Sequence, residues 1–299
     1  MRGPWEHSRE VMESVDLAAL LKRVAQAGGV PSSGAVVEPP ERTDASALTE
    51  VLDDPQKVTA DPLEVAGFVD GVQSSVTLRY IEHRPVVLQY SAAAAVGEGG
   101  VVAAISEKLE IVHSMVDTEW ALEVADGIHR VTVEPSAPHD VIVAQVQHLR
   151  AERVERERVV VETAAGDGWL ILDGSLIGRP VREGVVGVVK TTARRYLPDE
   201  AQLWKLQEGW RSSRFLIPAG IESPQDRFSC YLRLFDSRSQ GWDFGLIRLE
   251  AFEADTLDAL AARCMAERQG SSKDARWDRH LSGVRMVEDV LRARRPELL

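Results

Sequence analysis

The sequence predicts an α/β protein in which helices flank one mixed β-sheet. Three observations support this class. β-rich runs with turn-length gaps begin at residue 64, a long charged helical pattern covers residues 140–163, and further strands and two helices follow it. The chain has 299 residues, of which 44% are hydrophobic and 27% are charged, as in ordinary globular proteins. This length suffices for one large domain or two small ones.

The first sixty residues differ in composition from the rest. Residues 9–27 have apolar positions at helical spacing and end at Gly28-Gly29, a plausible helix stop. Five prolines then interrupt residues 28–62, which leave room for at most one short helix, ALTEVLDD. We therefore predict an N-terminal helical arm and linker over residues 1–62 and a larger domain over residues 63–299.

Composition also limits the class of protein. The formal net charge of −12 argues against a protein that coats DNA unaided, but it is compatible with a nuclease that holds metals on carboxylates. No apolar run approaches the roughly 18 residues needed to cross a bilayer, and charges interrupt the N-terminus, so we expect a cytoplasmic protein without membrane contact. Cys230 and Cys264 lie in apolar segments, and we expect buried thiols rather than a disulfide.

The larger domain begins with three β-rich runs, EVAGFVDG, SSVTLRYIE and RPVVLQYSAAAAV, which predict an antiparallel meander. Residues 105–125 are compatible with either a helix or extended chain. After the helix over 140–163 come the strand WLILDG, strands over 186–192, 229–235 and 244–252, and helices over about 255–268 and 277–294. A meander, a helix and then a strand that carries a second acidic residue is the order of ribonuclease H-like folds.

Two apolar runs of strand character each close with Asp-Gly: GFVDG at 67–71 and LILDG at 170–174. Ribonuclease H-like sheets place the end of the first strand beside the end of the fourth, which would bring Asp70 and Asp173 together. Carboxylate oxygens suit Mg²⁺ and Mn²⁺, and such ions assist phosphodiester hydrolysis. Asp-Gly pairs are also common turns, and the spacing alone leaves both interpretations open.

A third carboxylate is expected from the charged helix. Glu152, Glu155 and Glu162 share one helix face, and Glu155 is the preferred candidate. The alternative for each is an exposed carboxylate paired along the helix. In the C-terminal helix region, His280 and Glu288 are eight residues apart and face roughly the same side. We expect His280 to ligate metal or move a proton, with a surface histidine as the alternative.

A basic stretch follows the second Asp-Gly pair in this acidic chain. Lys190, Arg194 and Arg195 are the residues that we expect to bind DNA, and Trp204 and Trp210 lie a little further on. Cations for phosphates and aromatic faces for bases are what a single strand requires. The alternative is an ordinary charged surface with the tryptophans in the core.

Four segments, VAGFVDG, WLILDGSL, VVGVVKTT and RWDRHL, together resemble the NurA nuclease family over residues 64–292. The resemblance implies a ribonuclease H-like core, a homodimer, and a HerA-type hexameric ATPase as partner in DNA end resection. It also implies metal ligation by Asp70, Glu155, Asp173 and His280, and contact of Lys190 with the substrate strand.

The sequence therefore favours a metal-dependent deoxyribonuclease, Mn²⁺-preferring, that acts with a HerA-type ATPase in DNA repair or phage defence. Two positions depart from the family pattern: Val72 stands where the family has serine, and Trp277 stands where it has tyrosine. They motivate an alternative, a catalytically degraded adaptor subunit of a translocase complex. A ribonuclease that acts on structured RNA is a third possibility.

Overall fold

The computed structural model describes residues 43–44, 49–81, 83–114, 129–132, 137–164, 168–179, 182–190, 194–219, 223–236, 242–269, 279 and 281–296. The helix predicted over residues 9–27 lies outside this part of the chain, so the N-terminal arm stays a prediction. None of the described helices is both long enough and apolar enough to cross a membrane.

The strands are β1 (Thr43–Asp44), β2 (Glu50–Val51), β3 (Gln56–Lys57), β4 (Val65–Ile81), β5 (Arg84–Gly97), β6 (Val102–His113), β7 (His129–Thr132), β8 (Trp169–Asp173), β9 (Val185–Val189), β10 (Arg194–Arg195), β11 (Trp210–Arg211), β12 (Phe215–Ile217), β13 (Arg227–Arg233) and β14 (Leu246–Ala251). The helices are α1 (Pro138–Thr163), α2 (Ala201–Lys205), α3 (Thr256–Glu267) and α4 (Ser282–Arg294).

Within the described residues, twelve strands form one large sheet, and β1 pairs with β10 in a separate two-stranded sheet. The main path of the large sheet runs β2-β12-β13-β14-β9-β8-β4-β5-β6-β7, with β11 beside β13 and β3 beside β11. β4, β8 and β9 are parallel neighbours, whereas β4, β5 and β6 form an antiparallel meander. The prediction of an α/β protein with a mixed sheet flanked by helices is confirmed.

Helices cover both faces of this sheet because side chains alternate along each strand. On one face, Val69 and Leu172 pack against Val160 of α1. On the other face, Phe68 and Ile171 belong to the core that contains α3 and α4. The place of each polar residue in this alternation therefore decides which face of the sheet its side chain reaches.

The first two β-rich runs form one strand, β4, of 17 residues, rather than two strands joined by a turn. Asp70-Gly71 therefore lies inside a strand, and the expectation that it ends one is wrong. β5 pairs with β4 on both sides of this point, with Asp70 opposite Ala94. β8 pairs with β4 only as far as Val69 opposite Leu172. Asp70 thus lies where β4 loses its parallel neighbour.

Three smaller expectations are also resolved. Residues 105–125 were compatible with a helix or with extended chain. Their described part belongs to β6, which runs as a strand to His113, so this part is extended. Glu50–Val51 forms a strand paired with β12, and residues 49–54 hold no helix, unlike the short helix considered for ALTEVLDD. Cys230 and Cys264 are both buried free thiols, as predicted.

Replacement of Gly283 by alanine tests the packing of α4 on the sheet. A Cβ at Gly283 would overlap the ring of Phe68, which is 4% exposed and has little room to move. We expect Gly283→Ala to lower the free energy of unfolding by about 1–3 kcal/mol in urea denaturation, since overpacking strains a filled core. Arg292→Ala, on the exposed face of α4, should change it by less than about 0.5 kcal/mol. Equal effects of the two substitutions would contradict this packing.

Candidate functional site

Three carboxylates from separate elements meet on one face of the sheet. Asp70 in β4, Asp173 at the end of β8 and Glu288 in α4 each offer an oxygen, and these oxygens all lie within 4.8 Å of one another. Asp70 and Asp173 share a face because each follows a buried residue of that face, Phe68 and Ile171, by two positions. The same face is covered by α4, which supplies Glu288.

The spacing of these oxygens fits a divalent cation. At metal–oxygen distances of about 2.1 Å, neighbouring ligand oxygens lie about 3 Å apart and opposite ones about 4.2 Å apart. The three oxygens lie within 4.8 Å of one another, so small side-chain movements would bring them to this spacing. Carboxylate oxygens are also the ligands that Mg²⁺ and Mn²⁺ prefer.

Lys190, directly after β9, provides a cation at the cluster. Its Nζ lies 2.7 Å from Oδ2 of Asp173 and 3.8 Å from Oε1 of Glu288. The backbone at this point is fixed by Arg279, whose Nη1 donates to the carbonyl oxygen of Lys190 at 2.7 Å and whose Nη2 donates to Asp243. With all groups ionised, the three carboxylates and one ammonium leave a net charge of −2.

Burial and the neighbouring charge of Asp173 raise the pKa of Asp70 to about 8. Lys190 and the backbone N–H of Gly71, which donates to Oδ1 of Asp70 at 2.7 Å, oppose this rise without cancelling it. Asp70 is 7% exposed, so water solvates its charge poorly. A buried carboxyl with a raised pKa among other acids is a signature of functional sites.

A fourth carboxylate, Glu157 of α1, approaches from the opposite face and is fully buried. A Cβ at Gly71 would overlap the Glu157 carboxylate, so the glycine makes the room that this side chain occupies. Glu157 accepts hydrogen bonds from Arg179 and, at 3.0 Å, from Arg153. Its charge is a further cause of the raised pKa of Asp70, which shows that the two carboxyl groups are electrostatic neighbours.

The structure does not bring Glu155 to this cluster. Its side chain is 41% exposed and pairs with Arg158 at 2.6 Å, and this hydrogen bond lowers its pKa. Glu162 pairs with Arg158 as well, and Glu152 lies 3.0 Å from Lys108. Glu155 and Glu157 are two residues apart, about 200° around a helix, so only one of them can face the sheet.

A sequence signal for Glu157 was present in the same helix. Glu157 precedes Val160 by three positions and the C-cap residue Ala164 by seven, and all three are buried on the side of α1 that faces the sheet. The glutamates chosen from the sequence shared a face with one another instead. The stripe of small and apolar residues, rather than the spacing of the acids, marks the inward side.

The structure describes only some of the other residues that were predicted to form the site. Lys190 lies at the cluster, whereas His280 and Trp277 fall outside the described residues. Arg194 and Arg195 form β10, which pairs with β1; their side chains are not among those described.

The rest of the basic stretch splits between structural and exposed residues. Arg211 is 1% exposed and pairs with Asp53 and Asp258, so it holds the fold together. Trp204 is 76% exposed, and Trp210 is half-buried beside a core cluster.

Glu250 of β14, which the sequence analysis did not single out, fixes the turn after Asp173. Its buried carboxylate accepts the backbone N–H of Leu176 at 2.6 Å and the Ser175 hydroxyl at 2.8 Å. Burial alone would raise the pKa of Glu250, but Arg248 and Arg227 hold it below the usual value. The turn that carries Asp173 is therefore tied to β14 by an ionised, fully buried group.

A second group with metal-compatible spacing consists of Glu110, His148 and Glu152. Lys108 lies 2.6 Å from Glu110 and 3.0 Å from Glu152, and His148 lies 2.8 Å from the other oxygen of Glu110. Both oxygens of the buried Glu110 are thus already paired. We therefore assign the candidate metal centre to Asp70, Asp173 and Glu288.

Asp70→Asn tests the electrostatic description of the site. Unfolded Asp70 ionises near its ordinary pKa of 3.8, whereas folded Asp70 keeps its proton until about pH 8. Stability is therefore lost as pH rises through this window, and the amide variant escapes that loss. We expect Asp70→Asn to unfold at about the wild-type free energy near pH 4 and to exceed it by at least about 2 kcal/mol near pH 8.

The control for that measurement is Asp289→Asn, which removes an exposed carboxylate of α4. Its difference from wild type should stay below about 0.5 kcal/mol across the same pH range. A pH-independent difference for Asp70→Asn in metal-free buffer would contradict the raised pKa.

Comparison with protein-family models gives no match, and comparison with curated proteins gives none either. The functional interpretation of this chain therefore depends on its own residues and their geometry.

Proposed function

We propose that this chain is a metal-dependent nuclease that hydrolyses phosphodiester bonds in DNA. The observation that carries the proposal is the convergence of Asp70, Asp173 and Glu288 beside Lys190. Carboxylates suit divalent cations, and an ammonium at the same place suits a phosphate oxygen.

The arrangement of elements supports a ribonuclease H-like core for this proposal. The meander β4–β5–β6 is followed by the short strand β7, by α1 and then by β8, which lies parallel to β4. The acids come from β4, from β8 and from the C-terminal helix α4. This order agrees with the expectation drawn from the motifs that resemble the NurA family.

In the proposed reaction, Asp70, Asp173 and Glu288 would hold Mn²⁺ or Mg²⁺. Such ions, when bound, activate water for attack and stabilise the leaving oxygen. Asp70 would lose its proton on loading, because cation binding requires the carboxylate form. Lys190 would exchange its contact with Asp173 for a non-bridging phosphate oxygen and so hold the strand in place. Glu157 would contribute negative charge from the other side of Gly71.

The nuclease proposal is tested by cleavage of linear single- and double-stranded DNA with Mn²⁺, with and without a HerA-type ATPase. We expect Asp173→Asn and Glu288→Gln each to lower the rate by on the order of 10³-fold, because each removes a metal ligand. Glu155→Gln is the matched control, since it neutralises an acid of α1 that lies outside the cluster. It should retain wild-type activity.

Three other results of this cleavage assay would change the interpretation. Activity that survives Asp173→Asn would overturn the site assignment. Cleavage of structured RNA alone would favour the ribonuclease alternative. No cleavage under any condition would favour the adaptor subunit, an interpretation that the ion pairs Lys190–Asp173 and Arg179–Glu157 already make reasonable.

We further propose that the chain acts as a dimer with a HerA-type hexameric ATPase in DNA end processing or phage defence. The net charge of −12 and the structural use of Arg211 favour a chain that relies on a partner for much of its DNA affinity. We expect the isolated protein to bind DNA weakly in fluorescence anisotropy at physiological salt, and the ATPase to strengthen binding by at least about tenfold. Tight binding by the isolated protein, with a steep salt dependence, would contradict this division of labour.

A further inference from the structure

A cleft of about 650 Å³ opens between α1 and the connection from β8 to β9. It lies on the sheet face opposite to the carboxylate cluster, because Leu172 and Val185 of that face form part of its wall. The lining residues are Arg150, Ala151, Val154, Glu155, Arg158, Val161, Glu162, Leu172, Leu176, Ile177, Gly178, Arg179, Arg182 and Val185. We call it the α1 cleft.

The floor of the α1 cleft is apolar. Leu172, Leu176 and Val185 are buried residues of the core cluster on this face, and they form the wall on the sheet side. Val154 and Val161 supply apolar surface from α1. A recess of this size with mostly apolar walls is typical of sites that enclose a small molecule.

The polar groups at the α1 cleft are dominated by four arginines. Arg158 is paired with glutamates of its own helix, and Arg179 is paired with Glu157. Arg150 and Arg182 have no carboxylate partner among the described residues. Arg182 donates to the carbonyl oxygen of Val161 at 2.6 Å, which leaves its charge uncompensated.

These two arginines mark opposite ends of the cleft. Arg150 and Val161, the residue that Arg182 contacts, are eleven positions apart in α1, which corresponds to about 16 Å along the helix axis. A ligand that lies along the apolar floor can therefore place an anionic group at either end. Guanidinium groups bind carboxylates and phosphates through paired hydrogen bonds.

We propose that the α1 cleft binds a small amphiphilic anion, with an apolar or aromatic body on the Leu172–Leu176 wall and a carboxylate, sulfonate or phosphate on Arg150 or Arg182. A nucleic-acid backbone fits less well, because the apolar floor between the two arginines offers no partner for successive phosphates. The proposal does not depend on nuclease activity, since none of the carboxylate ligands lines the cleft.

The experiment uses the fluorescent probe anilinonaphthalene sulfonate and its uncharged analogue phenylnaphthylamine on the full chain. Ala151→Trp places an indole in the cleft from an exposed helix position, and Gln147→Trp places one four residues earlier, outside the lining. We expect saturable binding of one sulfonate probe per chain. Affinity should fall at least about tenfold in Ala151→Trp and stay unchanged in Gln147→Trp.

The charge of the ligand is tested with the double variant Arg150→Gln, Arg182→Gln. It should weaken binding of the sulfonate by at least about tenfold and leave the uncharged analogue unaffected, since only the sulfonate needs the guanidinium groups. Arg179 is left intact in every variant because it also holds Glu157. Thermal unfolding of each variant checks that the fold is retained.

Displacement of the bound probe by competitors distinguishes two classes of ligand that both carry an anionic group on an apolar body. Competition by deoxyadenosine monophosphate would identify a nucleotide site, and competition by decanoate would identify a site for aliphatic acids. The proposal is overturned if no saturable binding occurs, if both tryptophan variants bind like wild type, or if the arginine variant weakens both probes equally.

Discussion

The buried carboxylate of Glu250 is the constraint on which the rest of the site depends. Asp173 ends β8, and residues 174–184 connect it to the parallel strand β9. Hydrogen bonds within this connection, such as that from the Ile177 N–H to the Ser175 hydroxyl at 3.1 Å, shape it locally but do not attach it to the rest of the sheet. Glu250 supplies that attachment by accepting from the Ser175 hydroxyl and the Leu176 N–H. Because Arg248 and Arg227 neutralise it, the charge can stay in the core.

The same contact arranges both faces of the sheet. With the turn held against β14, the Asp173 side chain meets Asp70 and Glu288 on one face, while Leu176 is pressed into the wall of the α1 cleft on the other. Gly187 of β9 allows this close approach, since a Cβ there would lie only 2.7 Å from the carbonyl oxygen of Gly174. A single buried ion pair network thus positions two sites with different chemistry.

A site residue could be predicted from the sequence where its signal lies in neighbouring residues, and not where it depends on contacts with distant parts of the chain. Asp173 was identified from the apolar run that it closes, and Lys190 from the basic stretch that follows; both are local patterns. Asp70 was found, but its place inside β4 was not, since continuation of the strand is decided by pairing with β5 rather than by Asp-Gly itself. The sequence analysis chose Glu155 instead of Glu157 because the spacing of the acids alone does not show which helix face is buried. Glu250 has no local signal.

Charge explains why a site of this kind would need loading before it could act. Three carboxylates and Lys190 sum to −2, or −1 while Asp70 keeps its proton, and either value repels a phosphodiester. A bound divalent cation would bring the charge of −2 to zero and would offset the carboxylate repulsion that contributes to the raised pKa of Asp70. The proton on Asp70 therefore competes with the metal, so binding should tighten as pH rises toward 8.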